Sequence, residues 1–253
     1  MSIKNFYNEE IEITEDALFS IPKTGQILYL HIKYYSKSKF FGRQESSTYY
    51  IIGKDGFGIY EKKGDNNSLN DNLQIITEIR YDECEFIFVD IVDIITNGFY
   101  TESTFLFDII TKEGFDSRFE LSGDFNKKRE IKKLPIEYLF GKKIEKHLTE
   151  YLMKGLIYSL DKGGHYDFRM LDYTIRLSKN SISFVKKKKE NIYKFDEIKS
   201  VYSKGTKLYI EDKDFQKKIF KTIGKRDKIN INLLVNKRLF LLAFSKYSGY
   251  NIY

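Results

Sequence analysis

Tyr81-Asp82-Glu83-Cys84 and Phe195-Asp196-Glu197-Ile198 stand at matching points of two longer patterns in this chain. Each stretch follows two β-rich apolar runs joined by a turn signal, Lys54-Asp55-Gly56 in the first pattern and Ser178-Lys179-Asn180 in the second. The first pattern has an additional polar loop, Gly64 to Gln74, ahead of its Asp-Glu pair. Because the order of elements recurs, the sequence predicts one fold used twice.

Short β-rich segments separated by turn residues predict antiparallel sheets in both patterns. In the second pattern, single strands are predicted over Asp167 to Ser178 and over Phe215 to Thr222. Apolar residues at three- and four-residue steps predict an amphipathic helix from Ile136 to Leu160, with Pro135 in its first turn. A terminal helix is predicted from Ile231 to Lys246, with Asn232 as its cap and its inward face including Leu241 and Leu242.

Length and composition favour two domains. The chain has 253 residues, of which 42% are apolar, and this is enough to build two cores. The sequence predicts an N-terminal extension over residues 1–24, a first domain over residues 25–160, a linker over residues 161–165 and a second domain over residues 166–253. Gly163 and Gly164 support the linker, because glycine tolerates the backbone angles at which helices end.

Composition also indicates the cellular compartment in which the protein is expected. The chain has one cysteine, Cys84, so no disulfide can form within it, and the N-terminus lacks the apolar core of a signal peptide. No apolar run approaches the length of a membrane-spanning helix. These features predict a cytoplasmic protein.

The charge is divided unevenly along the chain. From Gly164 to Tyr253 there are 21 Lys and Arg against 9 Asp and Glu, a net charge of +12, and the rest of the chain has a net charge of −5. A molecule of this kind can orient on an anionic surface or dock an acidic partner.

The order of antiparallel strands, an aromatic-Asp-Glu-Ile step and a closing amphipathic helix resembles the pleckstrin-homology-like superfold, especially its bacterial members. The second pattern carries the resemblance on Ser181-Ile182-Ser183-Phe184, Tyr193 to Ile198, Val201, Lys207 to Ile210 and Leu233 to Phe244. The resemblance implies a mainly β protein with some α: two tandem domains, each a bent antiparallel sheet or barrel closed by a C-terminal amphipathic helix. It also implies binding, since such domains serve lipids, peptides and whole proteins.

The residue pattern argues against an enzyme. The three histidines, His31, His147 and His165, lack the spacing of a metal site, so neither a metal nor a cofactor is expected. Cys84 lies among apolar residues and is predicted to be a core residue. The adjacent carboxylates of each Asp-Glu pair would leave a regular strand on opposite faces, where they cannot act as an acid and base pair.

A Gly-rich segment, Gly53 to Gly58, resembles a phosphate-binding loop. It is followed by a strand-like run instead of a helix, so the sequence predicts a hairpin turn there.

Four consecutive lysines are the strongest candidate for a binding site. Lys186 to Lys189 are predicted to lie at a hairpin end, and with Lys179 and Lys194 they form a candidate anionic-ligand site. Each Lys near an anionic membrane contributes about 1 kcal/mol, although a solvated turn is the commoner use of such a run. Phosphoinositide-binding members of the superfold usually carry basic residues at their first hairpin, and here the lysines follow at the next one.

Two binding functions remain open at this point, and an enzyme, the third class, would require side chains to converge in a way that the sequence does not show. The leading hypothesis is recognition of a protein partner, as an adaptor, a scaffold or a toxin-neutralising immunity protein. The alternative is peripheral binding to anionic lipid at the inner face of a membrane through the basic second domain. Nucleic acid is disfavoured because no binding motif is visible, although a second basic stretch could contact phosphates: Lys217, Lys218, Lys221, Lys225, Arg226 and Lys228.

Overall fold

The computed structural model describes residues 3–11, 23–39, 42–63, 73–126, 133–187, 189–217 and 222–252. The protein is mainly β with two α-helices, as the sequence predicts. The predicted N-terminal extension and the Gly64 to Gln74 loop lie largely outside the described residues.

The helices are α1 (Ile136–Asp161) and α2 (Lys237–Ser248), and short 3-10 turns cover Phe195–Glu197 and Ile231–Leu233. The described strands are β1 (Ile3–Lys4), β2 (Glu10–Ile11), β3 (Ile27–Lys39), β4 (Gly42–Gly53), β5 (Gly56–Lys63), β6 (Leu73–Arg80), β7 (Cys84–Thr96), β8 (Phe99–Thr111), β9 (Gly114–Phe125), β10 (His165–Arg169), β11 (Thr174–Ser178), β12 (Ser181–Lys186), β13 (Lys189–Lys194), β14 (Ile198–Lys204), β15 (Lys207–Asp212), β16 (Gln216–Lys217), β17 (Thr222–Ile223) and β18 (Arg226–Asn230).

The chain divides into two compact units. The first comprises Met1–Glu85 and Ile91–Lys146, and the second comprises Phe86–Asp90 and His147–Tyr253. The division falls inside α1, whereas the sequence analysis places the linker after this helix. The second half of α1 belongs with the second unit because Leu156 and Leu160 are fully buried in the core of that unit.

The sheets are almost entirely antiparallel. A six-stranded sheet in the first unit has the order β2-β1-β3-β4-β5-β6, in which the pair β1 and β3 is parallel. A three-stranded sheet has the order β7-β8-β9. The second unit contains the sheets β10-β11-β12-β13 and β14-β15-β18 and the small pair β16-β17. Across the described residues these are open sheets, and none of them closes into a barrel.

The first Asp-Glu pair lies in a tight turn between β6 and β7. The Tyr81 N–H donates to the Asp55 carbonyl (2.9 Å), the Cys84 N–H to the Tyr81 carbonyl (3.3 Å), and the Lys112 N–H to the Glu83 carbonyl (2.8 Å). The turn is thereby tied to the β4–β5 hairpin on one side and to the end of β8 on the other.

The second Asp-Glu pair is held by the same set of backbone hydrogen bonds. The Phe195 N–H donates to the Asn180 carbonyl (2.9 Å), the Ile198 N–H to the Phe195 carbonyl, and the Lys213 N–H to the Glu197 carbonyl (2.9 Å). Asn180, like Asp55, lies in the turn of the preceding hairpin. Both pairs form a one-turn corner between two strands, so the expectation for a regular strand, in which adjacent carboxylates leave on opposite faces, does not apply to them.

Cys84 is a core residue, as the sequence predicts. Its side chain is 2% exposed, and its thiol donates to the Arg80 carbonyl at 3.3 Å. Burial raises the pKa of the thiol to about 12, so it is a protonated packing group near neutral pH.

Two predicted strands of the second pattern are each divided in the structure. The prediction over Asp167 to Ser178 is wrong in its middle, where β10 and β11 form a hairpin whose turn is closed by the Met170 N–H bonding to the Tyr173 carbonyl at 3.0 Å. The second unit therefore has one additional strand, β10, before the β11–β12 hairpin that the sequence predicts. Downstream, the single strand predicted over Phe215 to Thr222 is replaced by the antiparallel pair β16 and β17, and β18 follows outside the predicted range.

The terminal helix starts later than predicted. Asn236, not Asn232, is its N-terminal flanking residue, and it has φ 53° and makes no side-chain cap. The Asn236 side chain instead accepts a hydrogen bond from the Ile87 N–H at 2.9 Å, within the second unit. The predicted inward face is wrong for Leu242, which is 36% exposed, whereas Leu241 is partly buried against the core. The buried residues of the helix are Leu239, Phe240, Ala243 and Phe244.

Two glycines of α1 give a matched test of core packing. A Cβ at Gly141 would overlap the ring of Phe107, which is fully buried and cannot move away, whereas a Cβ at Gly155 would meet nothing. We expect Gly141→Ala to destabilise the protein by about 1–3 kcal/mol through overpacking. We expect Gly155→Ala to stabilise it by roughly 0.5–1 kcal/mol, because alanine favours the helix. Urea unfolding measures the free energy of unfolding of both variants. Equal stabilisation by the two substitutions would show that α1 is placed wrongly.

Candidate functional site

The lysine run lies at the tip of the β12–β13 hairpin, as predicted. Lys186 pairs with Lys189, so the chain reverses over the two residues between them. Lys187 has φ 53°, a left-handed conformation that a Lys adopts infrequently, and Lys188 lies outside the described residues. The side chains of Lys186, Lys187 and Lys189 are exposed.

The other two predicted site residues do not join this cluster. Lys194 is at the opposite end of β13, where it pairs with Ser181, and Lys179 is in the turn that precedes β12. With a rise of about 3.3 Å per residue, β13 separates the two groups by roughly 16 Å. Lys194 forms an ion pair with Glu197 (3.0 Å) and Lys179 with Asp161 (3.2 Å).

An open cleft of about 1140 Å³ lies beside the lysine tip, within the second unit. We call it the basic cleft. Its positive residues come from the hairpin tip and from β18: Lys186, Lys187, Lys189, Arg226 and Lys228. Its aromatic residues are Tyr173, Phe184 and Tyr209, and its carboxylates are Asp172 and Asp227.

The aromatic side of the cleft is fixed by packing and hydrogen bonding. The ring centroids of Tyr173 and Phe184 are 6.1 Å apart, and the Tyr173 hydroxyl donates to the Lys228 carbonyl at 3.3 Å. Burial raises the pKa of Tyr173 to about 12, so its hydroxyl remains protonated near neutral pH. These contacts join Tyr173, the residue before β11, to β12 and β18 on one side of the cleft.

Arg226 is held in place on an aromatic surface. Its guanidinium lies 4.5 Å from the Tyr209 ring centroid, donates to the Tyr202 hydroxyl at 2.6 Å, and pairs with Glu211 at 3.3 Å. Arginine stacked in this way keeps its charge and has a defined orientation. Arg226 therefore supplies a positioned positive charge at the wall of the cleft.

The two carboxylates of the cleft already have partners. Asp227 accepts hydrogen bonds from the Tyr193 hydroxyl (2.7 Å) and the Asn191 amide (3.2 Å). Asp172 pairs with Lys186 at 2.6 Å. Among the described residues, three positive side chains of the cleft make no ion pair: Lys187, Lys189 and Lys228.

Arg226 and Lys228 belong to the second basic stretch of the sequence, which is predicted to be separate from the lysine run. The aromatic residues of the cleft are not among the predicted site residues. The β15–β18 pairing, which sets Tyr209 opposite Lys228, brings this stretch to the lysine tip. Of the rest of the stretch, Lys218 and Lys221 lie outside the described residues.

A smaller cleft of about 670 Å³ lies in the first unit, around the first Asp-Glu turn. Three of its four positive residues are paired with carboxylates: Arg80 with Asp82 (2.8 Å), Arg118 with Asp108 (2.7 Å) and Lys23 with Glu83 (3.8 Å). The fourth, Lys112, makes no ion pair with a described side chain, whereas the basic cleft has three such lysines. The basic cleft is therefore the stronger candidate for an acidic ligand.

The histidines lie apart in the fold, in β3, α1 and β10. Burial lowers the pKa of His31, which favours its neutral form. Within the described ranges, no three His, Cys, Asp or Glu side chains gather in an arrangement suited to a metal ion. Over the same ranges, neither helix has the length and apolar character needed to cross a membrane.

Comparison with known proteins assigns this chain to no family. No protein-family model matches it, and no curated protein has a matching sequence. Function is therefore argued from the geometry of the basic cleft.

The Lys186–Asp172 pair gives a direct test of the local electrostatics. The Lys186 ammonium lowers the pKa of Asp172. We expect Lys186→Gln to raise the pKa of Asp172 toward its ordinary value, as measured by carboxyl-carbon NMR titration. Lys187→Gln is the matched control, and it should leave the pKa of Asp172 at its wild-type value. An unchanged Asp172 pKa in Lys186→Gln would contradict this arrangement of the cleft rim.

Proposed function

We propose that this protein is a non-catalytic binding protein whose basic cleft holds an acidic segment of a protein partner. One observation carries the proposal: Lys187, Lys189 and Lys228 make no ion pair with a described side chain, and they line the same cleft as Tyr173 and Tyr209. Positive groups beside aromatic rings suit a ligand that presents carboxylates and an apolar side chain together.

The dimensions of the cleft favour a protein segment over a small anion. Its volume of about 1140 Å³ is above the range of about 300–1,000 Å³ that is usual for small-molecule pockets. Asp172 and Asp227 also line it and would repel a bare phosphate group. A peptide segment can place apolar atoms beside the rings and direct its carboxylates to the lysines.

We further propose that the fold consists of two tandem pleckstrin-homology-like domains. The order of elements supports this: β3 to β6, then β7 to β9, then α1; and β10 to β13, then β14, β15 and β18, then α2. Apart from the two-residue strands β1, β2, β16 and β17, four strands and then three strands precede one helix in each case. Each helix would close the open corner between its two sheets, and a fold of this kind is a binding scaffold.

Anionic lipid is the second candidate, because the lysine tip is exposed. Each Lys near an anionic membrane contributes about 1 kcal/mol, so three provide roughly 3 kcal/mol. This is less than the roughly 4 kcal/mol of a millimolar complex, so the lysine tip alone would bind weakly. The aromatic wall of the cleft has no role in this alternative.

Two double variants with equal loss of charge test the proposal. Lys187→Ser with Lys189→Ser removes two cations of the cleft, and Lys179→Ser with Lys194→Ser removes two at the far end of the same hairpin. In capture experiments from lysate at physiological salt, we expect the cleft variant to lose a stoichiometric acidic protein that the wild type and the far-end variant retain. Equal capture by both variants would place the binding site elsewhere.

Liposomes that contain phosphatidylserine separate the two candidates. Binding to them that is lost in the cleft variant and in high salt, without any captured protein, would replace the protein-partner proposal with the lipid alternative.

A further inference from the structure

The β7–β8 hairpin extends beyond the body of its sheet. The last five residues of β7, Val92 to Thr96, are all exposed, and the first β8 residue that pairs with β9 is Ser103. Asn97 and Gly98 both have positive φ, as a tight two-residue hairpin turn requires. We call residues 92–102 the hairpin arm.

The arm presents large apolar side chains to solvent. Phe99 is 78% exposed and Ile95 64%, and Val92 and Ile94 are also exposed. Successive residues of a strand face opposite sides, so both faces of the arm are uncovered. A two-stranded hairpin is at best marginally stable in water, and exposed apolar patches mark interaction sites.

The arm is acidic as well as apolar. The arm contains Asp93 and Glu102, and no Lys, Arg or His occurs in it or elsewhere between Cys84 and Thr111. An anionic membrane would repel this segment, and a basic protein surface would attract it. The basic cleft, with its lysines and aromatic rings, is a surface of the matching kind on this same chain.

We propose that the hairpin arm of one copy docks in the basic cleft of a second copy. This inference rests on the proposed function and names the acidic segment that the cleft receives. Phe99 at the tip of the arm would enter between Tyr173 and Tyr209, and the carboxylates of the arm would approach Lys187 and Lys189. The contact joins two different surfaces, so copies associate head to tail into open chains or rings.

Self-association is measured by sedimentation and light scattering from low micromolar to millimolar concentration. We expect the average mass of the wild-type protein to rise past that of a dimer at low salt and to fall at high salt. An arm variant, Ile95→Ser with Phe99→Ser, and the cleft variant, Lys187→Ser with Lys189→Ser, should each remain monomeric. Circular dichroism confirms that both variants are folded.

A mixture of the two variants gives the decisive result. The arm variant keeps its cleft and the cleft variant keeps its arm, so together they should form one-to-one dimers that grow no further. A control variant, Ile75→Ser with Ile76→Ser, removes two exposed apolar residues of β6 and should associate like the wild type.

Two outcomes overturn the inference. One is a wild-type protein that stays monomeric throughout, and the other is a mixture that stays monomeric. If lysate capture still depends on Lys187 and Lys189, the proposed function stands and the partner is a different protein. If neither self-association nor capture depends on them, both proposals fail.

Discussion

The backbone hydrogen bond that opens each Asp-Glu turn is the constraint on which the rest of the structure depends. The N–H of Tyr81 or Phe195 donates to a carbonyl in the preceding hairpin turn, at 2.9 Å in both cases. This bond fixes where one sheet ends and the next strand begins. A single such bond contributes about 0.5–1.5 kcal/mol, and here each turn has two more that set its geometry. Buried Cys84 and Ile198 then start the next sheet at matching positions.

The two occurrences of this strand-turn-strand corner are followed by different surfaces. In the first, the strands that follow the turn run on into an acidic, apolar hairpin arm. In the second, the equivalent strands β14 and β15 are short, and β18 instead carries Arg226 and Lys228 to the lysine tip. We propose that the uneven charge of the sequence reflects a division of two binding roles between two similar scaffolds. One copy presents a segment of the kind that we propose the other receives.

Local pattern accounts for much of the fold and for part of the site. The Asp-Gly turn at Asp55 and the helix after Pro135 could be predicted, because their signals lie within a few residues of each other. The sequence does not predict the hairpin of β10 and β11, because Asp172 is the one turn-favouring residue from Met170 to Tyr173. The lysine tip could be predicted, because its lysines are consecutive in the sequence. Arg226 and Tyr209 reach the same cleft through strand pairing, which periodicity does not reveal.

Amide hydrogen exchange measured by NMR tests the corner geometry most directly. The four amides to follow are those of Tyr81, Lys112, Phe195 and Lys213, which all donate across a turn to another element. We predict that all four amides exchange as slowly as the strand amides beside them, because each is protected until the compact unit that contains it unfolds. Exchange at the rate of an exposed loop in either copy would contradict the claim that one corner, used twice, organises this protein.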